Sequence, residues 1–309
     1  MKQAILFPGQ GSQYIHMCKN IYEKDIETRE IYRRASEILE FDLWNLIDTG
    51  DLKTLTKTRN AQPAVLTSSY ALYQYALKCG DIEPDVLIGH SLGELSALTC
   101  ANAIPFEQVV LFIKERSSIM ERAYSEKIGF SGIVTDLSQE LLEEKLQEFR
   151  KNGYVAISGY NSLNQFMVAG ANGLEKNFDN MIFDLGGQYI PYRMIPMKVS
   201  APYHSELMMQ YHDEMEVLVN SVLIQKPSVS ILSTVTGEYV QDANTVRSSL
   251  ISQMSRPILW NQVIKKLMDT NEYEFMDIGP NTINMNLLQE DYKDGKIQGY
   301  DKKEVKREA

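Results

Sequence analysis

Ser91 stands at the centre of Gly89-His90-Ser91-Leu92-Gly93, a Gly-x-Ser-x-Gly pentapeptide. A serine so placed attacks carbonyl carbon when the five residues form a tight turn between a strand and a helix. The turn closes only if its flanking positions are small, and the hydroxyl then projects above the sheet edge. The helix that follows aims its first N–H groups at the same point, which favours developing negative charge. Five residues alone are a weak signal. Here Val86-Leu87-Ile88 precedes them as a short apolar run, and a helical pattern opens at Glu94, so the context is that of a nucleophile elbow.

A serine hydroxyl needs a base, and the chain has four histidines. His90 adjoins Ser91 in the turn, so its ring is expected to point elsewhere in a structural role. His16 lies in an early loop or helix, and His212 falls well inside a probable helix. His204 remains, in Ser200-Ala201-Pro202-Tyr203-His204, a turn suited to reaching into a cleft. No acid is obviously placed to orient it, and a backbone or amide carbonyl could hold the tautomer instead. In α/β-hydrolases the histidine generally comes late in the domain, whereas about a third of this chain follows His204. A standard lipase or esterase therefore fits less well.

The elements that must position these residues read as α/β. Ala4-Ile5-Leu6-Phe7 is a buried strand breaking into Pro8-Gly9-Gln10-Gly11-Ser12-Gln13. Val86 to Ile88, Val229 to Leu232 and Phe275 to Ile278 are further strands. Helices are expected over Ala64 to Lys78, Pro105 to Tyr124 and Ser205 to Val219. Short apolar strands alternating with helices imply a parallel sheet. Between Lys127 and Lys198 the rhythm changes. Strands at Gly129 to Val134, Val155 to Ser158, Gln165 to Gly170 and Tyr189 to Lys198 alternate with helices at Ser138 to Lys151 and Gly173 to Leu185. That βαββαβ order is ferredoxin-like. The expected division is a large subdomain over residues 1–126 and 199–309 and an inserted small one over 127–198, with a cleft where they join. Gln289 to Ala309, rich in Lys, Asp and Glu, reads as a solvated tail or a fraying final helix.

Composition bounds the setting. The chain has 309 residues, 44% hydrophobic and 23% charged, as an ordinary globular protein does. No run approaches the ~18 apolar residues of a membrane span, and the N-terminus lacks a signal-peptide pattern, so a cytoplasmic protein is expected. The net charge of −10 disfavours nucleic acid or an anionic membrane as partner. Cys18, Cys79 and Cys100 are scattered without metal-ligand spacing.

Several stretches form ordered blocks: Phe7 to Gln13; Gln62-Pro63-Ala64; Gly89 to Glu94; Lys114-Glu115-Arg116 through Met120; Tyr160-Asn161-Ser162; Val199 to His204; Gln253 through Pro257 to Trp260; and Asp277-Ile278-Gly279-Pro280. Together they resemble the malonyl-CoA:acyl-carrier-protein transacylases of fatty acid synthesis and their polyketide-synthase relatives, over nearly the full length. The resemblance implies an α/β-hydrolase-like large subdomain carrying a ferredoxin-like small one. It implies that Ser91 is acylated, that His204 is general base and then acid, and that the backbone N–H groups of Gln10 and Leu92 form the oxyanion hole. By the same resemblance the backbone carbonyl of Gln253 orients His204, Arg116 pairs with the free carboxylate of the malonyl unit, and Gln62 and Asn161 line the pocket. The physics agrees on Arg116. Malonyl differs from acetyl by a carboxylate, which a planar two-donor cation reads in a fixed orientation.

Three departures stand out. Gly129-Phe130-Ser131-Gly132-Ile133 replaces the family's usual Gly-x-Met-Ala-Ala-type strand, which puts the shape of the acyl pocket in question. Tyr203 precedes the histidine where malonyl-selective polyketide transferases often carry phenylalanine, and its phenol is expected to fill the space of an α-methyl branch. Asn281 stands where glycine is common. The resemblance implies ping-pong transfer from malonyl-CoA to the phosphopantetheine thiol of an acyl carrier protein, with the CoA thioester as substrate and no metal or redox cofactor. The low similarity of the inserted unit to that of housekeeping transacylases, and Tyr203, point towards a free-standing enzyme serving a polyketide synthase without built-in transferase domains; a monomer is expected. The rivals are a hydrolase that clears stalled carrier proteins, a non-catalytic docking protein, and a transferase for another acyl unit. Proofreading hydrolases tend to lack the arginine, so Arg116 favours transfer.

Overall fold

The computed structural model describes residues 1–195 and 201–301. In chain order its strands are β1 (Lys2–Phe7), β2 (Pro84–Gly89), β3 (Gly129–Thr135), β4 (Val155–Tyr160), β5 (Gln165–Ala171), β6 (Gln188–Pro191), β7 (Ser230–Leu232), β8 (Tyr239–Val240), β9 (Tyr273–Asp277) and β10 (Ile297–Gly299). Six of them form a sheet in the order β10-β9-β1-β2-β7-β8, parallel except for the β7–β8 edge pair. The continuous apolar runs read from the sequence follow from burial on both faces. Along β1, Ile5 and Phe7 pack into one helical layer, while Ala4 and Leu6 pack against Trp260, Val263 and Ile264 on the other side.

Parallel pairing decides where chemistry can sit. Phe7 is in register with Gly89, so the loops leaving β1 and β2 emerge side by side. In open α/β sheets, the crevice at the carboxyl ends of the strands is the usual ligand site.

The second sheet is antiparallel, in the order β4-β5-β3-β6. This is the strand order of a ferredoxin-like unit. The helices Gln139–Phe149 and Glu175–Asp184 supply Leu142, Leu146, Phe178 and Ile182 to its core. Ser138 caps the first of them, accepting from the Leu141 N–H. β4 reaches across to the large subdomain, where Tyr160 N–H donates to Ile258 O (2.8 Å) and Ile258 N–H to Ser158 O (3.0 Å).

Four expectations need correction. The helix read from Ala64 starts at Thr58 and runs through Pro63 to Cys79; the proline had hidden its first turns. The helix expected from Ser205 opens as a 3-10 segment, Glu206–Tyr211, and becomes α-helical at His212. The strand expected over Tyr189 to Lys198 ends at Pro191 and turns into a 3-10 segment, Tyr192–Met194; its last three residues lie outside the described ones. The stretch after Gln289 is no frayed tail as far as Asp301. It closes the sheet as β10, buries Ile297 and Tyr300, and ties the Tyr300 hydroxyl to Asp81 at 2.8 Å.

Candidate active site

Ser91 occupies the turn between β2 and the helix Leu92–Cys100 with φ 52° and ψ −106°. That left-handed strain persists only where packing enforces it. The enforcing contacts are close: a Cβ on Gly89 would lie 2.0 Å from the Gly93 carbonyl carbon, and one on Gly93 would lie 2.1 Å from Phe7 O. Gly93 is thus required by the approach of the β1 backbone, and Gly89 by the first turn of the helix that follows Ser91. Leu92 opens the helix, so its N–H is one of those left without an intrahelical acceptor.

His204 lies 113 positions further along the chain. Its Nε2 stands 2.7 Å from Ser91 Oγ, and its Nδ1 stands 2.8 Å from the Gln253 backbone oxygen. A carbonyl oxygen only accepts, so Nδ1 carries the proton and Nε2 is left free to accept from Ser91. His204 is itself in a left-handed turn, φ 60°, with its N–H bonded to Met254 O at 2.8 Å. The ring is 3% exposed. Burial, with the nearby Arg116 cation adding to it, pushes its pKa down to about 3, so the imidazole is neutral at pH 7.

Arg116 projects from the helix Phe106–Ser125 and is 1% exposed. Its Nη1 donates to Gln62 Oε1 and its Nη2 to Gln253 Oε1, both at 2.9 Å; Nη1 also contacts Met120 Sδ at 3.1 Å. All these partners are neutral. Among the described residues Nε has no partner, and burial lowers the guanidinium pKa to about 10. A buried cation held by amides and facing a cavity is an anion receptor. The amides are themselves fixed: Gln253 Nε2 donates to Ser91 O (3.1 Å), Gln62 Nε2 to Gln10 Oε1 (3.2 Å), and Gln10 Nε2 to Thr58 Oγ1 (3.2 Å).

These groups border one cavity of about 400 Å³, whose lining includes Gln10, Gln62, Ser91, Leu92, Arg116, Asn161, Tyr203 and His204. An activated hydroxyl, a neutral base, helix-end N–H groups and an unneutralised cation in one enclosed space can carry out acyl transfer from an acid-bearing ester or thioester.

Comparison with known proteins narrows the class. Residues 5–309 match the acyl transferase domain family. This chain belongs to that family. The malonyl CoA-acyl carrier protein transacylase of Bacillus subtilis strain 168 is 33% identical to it, over 93% of this chain and 90% of that one. That of Haemophilus influenzae is 29% identical, over 91% and 89%. The solved transacylase from Coxiella burnetii superimposes with a TM-score of 0.90 at 28% identity, covering 99% of this chain and 98% of that one. A malonyl-transacylase solved in complex with its type II polyketide-synthase acyl carrier protein gives 0.89 at 26%, over 97% and 95%.

Within this acyl transferase domain the structure brings all nine sequence-predicted site residues together. Eight line the cavity, and Gln253 supports it from behind through both its carbonyl and its side chain. Tyr203, 5% exposed, is pinned by its hydroxyl donating to Met120 O at 2.7 Å. His90 bonds Asn161 Oδ1 through Nε2 at 2.9 Å, as expected of a structural ring, yet it also borders the cavity. His16 pairs with Asp48 at the surface, away from the site. The departing strand splits by face. Phe130 and Val134 enter the small-subdomain core, and Ile133 reaches the cavity.

Sequence reading missed Glu94. It is buried, and its carboxylate accepts from Ser233, Ser249 and Thr234 at 2.7, 2.8 and 3.1 Å. Burial raises its pKa. Ser249 belongs to the helix Ala243–Ser252, which ends at Gln253, so Glu94 ties the nucleophile helix to the element that orients His204 and Arg116. A glutamate three residues after the nucleophile was the available signal.

Proposed function

We propose that this acyltransferase moves a malonyl group from malonyl-CoA, through an ester on Ser91, to the phosphopantetheine thiol of an acyl carrier protein in fatty acid or polyketide synthesis. The observation that carries the reading is the pairing of Ser91 Oγ with His204 Nε2 at 2.7 Å in the cavity that also holds the buried, unneutralised Arg116.

The steps balance on protein groups alone. Malonyl-CoA enters with its carboxylate on Arg116, replacing part of the neutral amide solvation there. His204 Nε2 takes the Ser91 proton as Oγ attacks the thioester carbon. The carbonyl oxygen becomes an oxyanion on the N–H groups of Gln10 and Leu92; losing one such donor typically costs ~2.7–4 kcal/mol of barrier. As the oxyanion collapses, the C–S bond breaks, and the His204 imidazolium protonates the sulfur. CoA leaves as the thiol. The carrier's thiol then gives its proton to His204 and attacks the Ser91 ester, and the same proton returns to Ser91 Oγ. No step calls on a metal or redox cofactor. Tyr203 fills the space beside the acyl carbon that a methyl branch would need. The reacting groups all come from one chain, so a monomer suffices for the cycle. The CoA and carrier-protein chemistry proposed here supports a cytoplasmic location. No described helix is long and apolar enough to cross a membrane. The net charge of −10 supports neither nucleic acid nor anionic membrane as partner.

Intact-protein mass spectrometry after mixing with malonyl-CoA tests the first half of the cycle. A malonyl adduct on Ser91 that is discharged by a phosphopantetheinylated carrier protein supports the proposal. An adduct lost equally fast without the carrier would mean hydrolysis.

A further inference from the structure

The segment after β9 lends Asn281, Ile283, Asn284 and Leu287 to the cavity, and none of them has a part in the cycle above. Two are carboxamides three positions apart where the helix Ile283–Asp291 begins. Each amide is half used. Asn281 Oδ1 accepts from the Thr282 N–H at 2.8 Å, which leaves its NH2 group. Asn284 Nδ2 donates to Asp277 Oδ1 at 3.1 Å, which leaves its carbonyl oxygen. Asp277 is fully buried and accepts the Met285 N–H as well, at 2.9 Å, so it fixes Asn284 firmly. Among the described residues no group of the chain pairs with Asn281 Nδ2 or Asn284 Oδ1. Asn284 is 1% exposed and lines the cavity, so a partner for its oxygen comes from there, while Asn281 is exposed and its NH2 group is open to solvent or to a ligand at the cavity's edge. Asn281 holds φ 64°, a region that costs glycine nothing and that asparagine tolerates.

One unpaired donor and one unpaired acceptor, flanked by Ile283 and Leu287, are complementary to a secondary amide in an aliphatic chain. We infer that Asn281 and Asn284 form a subsite that reads a pantetheine amide, Asn281 Nδ2 donating to its carbonyl and Asn284 Oδ1 accepting its N–H. Ile283 and Leu287 cover the adjoining methylenes. Pantetheine is the arm shared by CoA and the carrier protein, so the subsite serves both halves of the cycle. The inference rests on the proposed function in that this arm enters the cavity.

The test compares two donors for Ser91 acylation: malonyl-CoA, and malonyl ethyl thioester, which keeps the carboxylate and thioester but has no amide. In Asn281→Gly and in Asn284→Leu, the ratio of kcat/KM for the first over the second should fall roughly 3- to 10-fold, the worth of one hydrogen bond. An unchanged ratio, or equal falls for both donors, overturns the inference. Asn281→Gly keeps a backbone that glycine adopts freely, so it decides the matter even if Asn284→Leu fails to fold with Asp277 deprived of a donor. Titration calorimetry with pantetheine itself needs no turnover. Its affinity should drop by a similar factor in Asn281→Gly, and unchanged affinity would reject the subsite. If the native enzyme is acylated by neither donor, the proposed reaction fails, while the pantetheine titration still decides the amide contact.

Discussion

On the large-subdomain side of the cavity, Thr58, Gln10, Gln62, Arg116, Gln253 and Ser91 form an unbroken run of hydrogen bonds, with His204 joined to it at both ring nitrogens. The small-subdomain side offers Ile133, Met167, Tyr192 and Ile195 beside one polar pair, Asn161 and Gln165, so most of its contact with a ligand is non-directional. Directional bonds fix a group to within tenths of an ångström and lose much when one partner goes. Apolar surface tolerates changes of shape at modest cost. The first side therefore decides whether acyl transfer happens, and the second decides what fits beside it. Substitutions on the two sides should differ accordingly in size and kind.

The largest effect belongs to Ser91→Ala. It should abolish the acyl-enzyme and reduce transfer on the order of 10^6-fold, as loss of a serine nucleophile does elsewhere. A malonyl adduct retained by that variant in intact-protein mass spectrometry would sink the covalent cycle. Arg116→Ala comes next. Removing one partner of a buried charge pair typically costs ~2–5 kcal/mol, so kcat/KM for malonyl-CoA should fall at least about 30-fold while that for acetyl-CoA changes far less. Unchanged malonyl loading would show that the carboxylate is read somewhere else.

The pH profile tests the same network from another direction. Burial and Arg116 hold His204 at about 3, and the base works only when neutral. Its rate contribution is lost as pH falls through that pKa, and kcat/KM reports the free enzyme. An imidazole with its ordinary value near 6.5 would cost about tenfold by pH 5.5. Here acylation should stay within about twofold of its pH 7 value. Arg116→Ala takes away the larger of the two charge effects that lower it, leaving burial and the weaker effect of His90, so in that variant the acid limb should move up. An acid limb near pH 6.5 in the native enzyme would mean that water reaches His204.

How much of this was legible depended on distance along the chain. The elbow was readable because strand, glycines and helix are contiguous from Pro84 to Cys100. The two-sheet division was readable because period-2 and helical patterns are local. The arginine's support was not, since Gln62 and Gln253 meet Arg116 from 54 and 137 positions away. The family resemblance gives both glutamines simpler parts, one as pocket lining and one as a backbone carbonyl. Strand β10 escaped because three residues are too few to show a period, and its buried Ile297 sits among charged neighbours.

The smallest effects on acyl transfer should fall on β3, where alternate residues face opposite ways. Phe130, 4% exposed, packs against Phe178 and Tyr189 inside the small subdomain. Phe130→Ala should cost ~3–5 kcal/mol of stability by opening a void, seen as a lower denaturation midpoint, with little change in the preference among acyl-CoA donors. Ile133 is half-buried and borders the cavity. Ile133→Ala should cost less stability, because its neighbours on that side are already space, and it should improve bulkier acyl-CoA donors relative to malonyl-CoA. One extra methylene in an apolar pocket is worth ~1–3 kcal/mol, and the part proposed for Tyr203 excludes a branch next to the thioester, so the gain should be several-fold and confined to longer unbranched diacids. If Phe130→Ala alters donor choice more than Ile133→Ala does, the acyl group reaches through the strand into the small-subdomain core, and the separation between the two sides of the cavity is lost.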